Sequence, residues 1–72
     1  MKLPILSGQE VIKALKKIDF VEIRQKGSHI FLKKIKDNKG LVVPNHKEID
    51  KGTLLEIIRQ AGLKRDEFLK LI

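Results

Sequence analysis

Two side chains in this sequence suit proton transfer near neutral pH, His29 and His46, because imidazole is the group whose ordinary titration falls there. His29 follows Gly27-Ser28 and stands among Arg24, Lys26, Lys33 and Lys34. A histidine among cations meets the minimum requirement for cleaving RNA without a metal. A base takes the proton from a 2′-hydroxyl, the freed oxygen attacks the adjacent phosphorus, and an acid protonates the leaving 5′-oxygen. Nearby cations stabilise charge on the phosphoryl oxygens, and Arg24, Lys26 and Lys33 are the candidates for that work. An exposed strand histidine without a chemical role has the same spacing. His46, in Pro44-Asn45-His46-Lys47, either supplies a second proton carrier, if the chain brings it to His29, or organises its loop.

Other chemistries find less support. The chain has no cysteine, which excludes disulfides, thiolate chemistry and cysteine-based zinc sites. Two histidines without carboxylates at ligand-like spacing make no metal site, so neither metal nor cofactor is expected. Ser7 and Ser28 have no nucleophile motif around them, and no glycine loop cradles phosphate. Gly27 and Ser28 read as turn residues with a backbone amide free to meet a phosphate.

The elements that must position these residues follow from periodicity. Ser7-Gly8-Gln9-Glu10 is a capping box, and Val11, Ile12, Leu15 and Ile18 follow at helical spacing, which predicts a helix over about 8–18. Phe20-Val21-Glu22-Ile23-Arg24 alternates as a strand, Gln25-Lys26-Gly27-Ser28 reads as a turn, and 29–34 as a second strand. On that strand His29, Phe31 and Lys33 share one side, Ile30 and Leu32 the other. The alternation leaves open which side is covered. Asp37-Asn38-Lys39-Gly40 signals a hairpin, and Leu41-Val42-Val43 a short third strand stopped by Pro44. Leu54, Ile57, Ile58 and Ala61 form a second helical stripe, started by Asp50 or Thr53 and stopped at Gly62-Leu63. A last short helix over roughly 65–71 tucks in Phe68, Leu69 and Leu71. The expected fold is α+β, in the order α-β-β-β-α with a short C-terminal helix, its three-stranded antiparallel sheet covered on one face by helices.

At 72 residues, 42% hydrophobic and 35% charged, the chain is expected to be one globular domain spanning 1–72. Its net charge of +7 is concentrated. Between Arg24 and Lys47 the only acid is Asp37, against seven bases, so six of the seven net charges lie in the central third. Concentrated positive charge makes a polyanion, and nucleic acid first, the expected partner; a lysine-rich solubilising surface is the plainer explanation. The basic segment lacks amphipathic helical periodicity, so no membrane is expected. Leu3-Pro4-Ile5-Leu6 is too short for a signal-peptide core, which leads us to expect a cytoplasmic protein.

Arg24-Gln25-Lys26-Gly27-Ser28-His29 resembles the signature of HicA-type toxins, the RNA-cleaving halves of toxin–antitoxin pairs. The likeness continues in Ser7-Gly8, Val43-Pro44-Asn45-His46, Lys51-Gly52-Thr53-Leu54, Arg59-Gln60-Ala61-Gly62-Leu63 and Glu67-Phe68-Leu69. The resemblance implies a double-stranded-RNA-binding-domain-like fold and a type II toxin that cleaves RNA, including mRNA, without a known metal. It places catalysis on His29, with Arg24, Lys26, Gly27, Ser28, Lys33 and Lys34 holding the RNA and His46 as a secondary candidate. It further implies a HicB-type antitoxin that masks the site, and operator DNA reached only through that antitoxin. Ile30-Phe31-Leu32 follows His29 where the family often carries polar residues. Two alternatives are a non-catalytic RNA-binding module and a basic domain whose partner is an acidic protein.

Overall fold

The computed structural model describes residues 3–72. Helix α1, Gly8–Lys16, opens on the expected capping box: the Glu10 amide donates to Ser7 Oγ at 3.1 Å and the Ser7 amide to Glu10 Oε1 at 2.9 Å. It ends two residues earlier than its apolar spacing predicts. Asp19 takes a φ of 74° and turns the chain into β1, Phe20–Lys26. That strand runs two residues past Arg24, so only Gly27 and Ser28 remain for the turn into β2, His29–Lys34. Gly27 has a φ of +59° while Ser28 stays out of the left-handed region, the pattern of a two-residue hairpin with glycine at its first central position.

At the next turn Asn38 takes the positive φ, 55°. Gly40 does not; it lies within β3, Lys39–Pro44, opposite Lys33. The strand is longer than 41–43 because ladder pairing, more than side-chain hydrophobicity, sets its ends. Of the two candidate caps of α2, Lys51–Gln60, Asp50 is the one used, accepting from the Thr53 amide at 3.0 Å. The helix closes as expected at Gly62-Leu63, with Gly62 at φ +77° and the Leu63 amide donating to the Ile58 carbonyl at 3.1 Å. This paired closure satisfies carbonyls that the helix end would orphan. Helix α3, Arg65–Leu69, buries Phe68, with Leu69 and Leu71 half-buried.

The strands form an antiparallel sheet in the order β1-β2-β3. Ile30 and Leu32 of β2 pair with Val43 and Leu41 of β3, and all four join Val11, Ile12 and Leu15 of α1 and Leu54, Ile57 and Ile58 of α2 in one buried cluster. The facing that alternation left open is therefore settled: the helices cover the Ile30/Leu32 side. His29, Phe31 and Lys33 point the other way.

Candidate active site

The uncovered face is a grid of three short rows, because directly opposed residues of an antiparallel sheet point to the same side. Lys26, His29 and Pro44 make the first row; Arg24, Phe31 and Val42 the second; Val21, Lys33 and Gly40 the third. A bulge between Glu22 and Arg24 inserts Ile23. This extra residue keeps Arg24 and Lys26 in phase with Phe31 and His29 while Glu22 reverts to the helix side, where it meets Lys16 at 3.6 Å. Unbroken alternation from Phe20 would have turned the two β1 cations alike but said nothing of this correction.

His29 is exposed at the corner of the grid. Lys26 stands directly across from it, with Cβ atoms about 5 Å apart in such a pair. Arg24 is one row further on, its guanidinium 4.8 Å from the centroid of the Phe31 ring. Lys33 shares the face but lies four residues along the strand, about 13 Å from His29. Lys34 is turned to the opposite side and forms an ion pair with Asp37 at 3.3 Å. The sheet thus gathers His29, Lys26 and Arg24, places Lys33 at the far end, and takes Lys34 away.

The corner is held from behind. The Asn45 amide donates to the Ser28 carbonyl at 2.6 Å, and the Gly8 amide to the His46 carbonyl at 2.9 Å. The Gln9 side chain donates to Asn45 Oδ1 at 3.0 Å, and Gln25 spans the turn to the Gly27 carbonyl at 3.0 Å. Segments far apart in sequence, Ser7-Gly8, Gly27-Ser28-His29 and Pro44-Asn45-His46, are therefore one spatial cluster. Gly8 has a steric reason to be glycine: a Cβ there would run into the Pro44 carbonyl oxygen. His46 is exposed, and its backbone, through that carbonyl, serves the loop-organising role. Gln9, Gln25 and Asn45 were not singled out from sequence as site residues; Asn45 and its neighbours carried a signal only as part of the Val43–His46 stretch.

From the grid an open groove of about 810 Å³ runs past Gly40 and Leu41 of the edge strand β3 to α2 on the helix-covered side. Arg24, Phe31 and Val42 bound it on the sheet, and Thr53, Glu56 and Gln60 on α2. Along this polar edge the Asp50 carboxyl is held below its usual 3.8, first by the Thr53 hydroxyl and then by the Thr53 amide. Glu56 is lowered mainly by its hydrogen bond from Arg59, whose own pKa is raised in return. The signal for this wall was the spacing of 53, 56 and 60, a polar row beside the apolar stripe of α2. Among the described residues, no group of three or more His, Cys, Asp or Glu is placed to hold a metal ion, and no helix is long and apolar enough to cross a membrane.

A three-stranded sheet with one helix-covered face and one basic face ending in a histidine corner defines a small α+β domain in the order α-β-β-β-α-α. The family model described as the HicA toxin of bacterial toxin–antitoxin matches residues 8–63, which takes in α1, the whole sheet and α2 with its closure. The chain belongs to the HicA toxin family. No curated protein matches it significantly.

Proposed function

We propose that this toxin is an endoribonuclease that cleaves mRNA by the metal-free route, with His29 in proton transfer. The observation that carries the reading is the corner itself: an exposed histidine beside a two-residue turn, directly across from Lys26 and one row from Arg24. With RNA against the basic face, His29 takes the 2′-hydroxyl proton, the 2′-oxygen bonds to phosphorus, and the bond to the 5′-oxygen breaks. The fragments carry a 2′,3′-cyclic phosphate and, once the leaving oxygen is protonated, a 5′-hydroxyl. Lys26 and Arg24 neutralise the phosphoryl oxygens, the exposed Gly27-Ser28 turn approaches the backbone, and Lys33 contacts a phosphate further along. Lys34 has no part in this arrangement, and His46 stays a secondary candidate for the second proton.

Membership of a toxin–antitoxin family implies a partner. We assign that role to a HicB-type antitoxin covering the corner in the cytoplasm, with operator DNA reached only through it. Acids around an apolar centre would complement Lys26 and Arg24 beside Phe31 and Val42.

The test is cleavage of a transcript with both single- and double-stranded stretches in EDTA, wild type beside His29→Ala. Cutting that vanishes in the variant, with RNA affinity kept, supports the assignment. Retained cutting removes His29 from the mechanism. Binding without cutting by either protein leaves an RNA-binding module.

A further inference from the structure

We infer that the groove running from the Arg24–Phe31 row to α2 is a nucleobase subsite, which takes one unpaired base of the RNA chain and prefers bases carrying an amino group. The inference deepens the nuclease reading and rests on it for the identity of the chain bound.

Phe31 is the only aromatic outside the core: Phe20 and Phe68 are fully buried, whereas Phe31 is half-buried on the uncovered face. An aromatic on an open sheet face, with an arginine guanidinium over it, is a platform on which unpaired bases stack. Arg24 and Phe31 form such a pair. The platform lies one row, two residues of β2, from His29, about 7 Å along the strand. A base seated there therefore belongs to a nucleotide next to the phosphate at the corner.

The opposite wall differs in chemistry from the sheet. Thr53, Glu56 and Gln60 line it, and no cation of α2 does. Glu56 is already paired with Arg59, so this wall offers phosphate no free cation, and the strand's backbone follows the Lys26–Arg24 side while the base points toward α2. The wall's groups are mutually braced: Thr53 Oγ1 donates to Asp50 Oδ1 at 2.7 Å, and Gln60 Nε2 to Glu56 Oε2 at 3.1 Å. Arg59 also holds Glu56, its Nε donating to Oε1 at 2.9 Å and its Nη2 to Oε2, so the acceptors left on the wall are the Thr53 hydroxyl and the remaining Glu56 Oε1 lone pair. A wall of acceptors reads donors, and the exocyclic amino groups of adenine, cytosine and guanine supply them where uracil has none.

The experiment uses the full chain carrying His29→Ala, so that binding is read without cleavage. Affinities are measured for single-stranded oligoadenylate, oligocytidylate and oligouridylate over a range of salt. Phe31→Leu, which keeps apolar volume, should weaken adenylate and cytidylate binding roughly 5- to 100-fold, with the salt slope unchanged because no phosphate contact is lost. Glu56→Gln should narrow the ratio of adenylate and cytidylate affinity to uridylate affinity; the ratio is the readout because releasing Arg59 from its ion pair shifts all three affinities together. Unchanged affinity and preference in both variants overturns the subsite, as does wild-type indifference between the oligonucleotides. A groove that instead responds only to an acidic peptide overturns it in favour of a protein partner. Cleavage by the His29 form is scored separately: cutting with an indifferent groove sinks the subsite alone, and base preference without cutting sinks the nuclease reading alone.

Discussion

At the scale of single residues, the sheet's alternation separates lysines that composition treats alike. Lys26 faces His29 across the hairpin, whereas Lys34 is on the other side and tied to Asp37. Lys26→Ala should weaken RNA binding and reduce the salt slope by about 0.7, the loss of one contact to a single strand. Lys34→Ala should leave both unchanged within error, and salt-titrated binding of the two variants decides it. Equal effects would mean that RNA does not lie on the uncovered face. His29 stood out in the sequence as a candidate beside the Gly27-Ser28 turn among cations, and the family resemblance, more than spacing, gave it a catalytic role. The split between Lys33 and Lys34 was implicit in strand parity, but which parity faced the helices was not.

Elements impose two further constraints. Gly8→Ala would improve helix propensity, yet it drives a Cβ into the Pro44 carbonyl and strains the link from α1 to the loop behind the corner. We expect a net loss of about 1–3 kcal/mol, read by denaturant unfolding. Gly27→Ala meets no atom within 4 Å, so its cost is only the left-handed backbone at φ +59°, about 1–2 kcal/mol. The second constraint is acid sensitivity at the start of α2. Asp50's folded pKa lies below its usual 3.8, so its capping contribution is complete above that value and is lost as pH falls through the lower folded one. Asparagine also caps but does not titrate, so Asp50→Asn should unfold with a shallower pH dependence below about pH 4 than wild type in thermal melts. The helices were legible as apolar stripes with caps. The last turn of α1 was not, since Asp19's left-handed turn ends the helix while Ile18 still fits the helical spacing; the end of α2 was, because Gly62 marks it.

For the whole molecule, the core is mostly aliphatic and holds two aromatics, Phe20 and Phe68. Phe68 is fully buried although it sits on the five-residue α3, too short to persist alone. Phe68→Ala should cost about 3–5 kcal/mol, a large part of the roughly 5–15 kcal/mol available to a domain. A circular-dichroism melt of that variant should be lowered steeply or abolished. A near-native melt would show that α3 is dispensable to the core.

The sequence sufficed for the element order, the capped helix starts, the hairpin turns and the concentration of charge around the strands, because each depends on local spacing or backbone preference. It also carried the family resemblance, since the likeness runs along the chain in short stretches. Folding in three dimensions was needed to set which sheet face stays open, to bring Gly8, Ser28 and Asn45 together behind His29, and to join the Arg24–Phe31 row to α2 through one groove. Those outcomes depend on which surfaces the helices bury. Burial is a contest among all the apolar faces at once, and no window of neighbouring residues contains it.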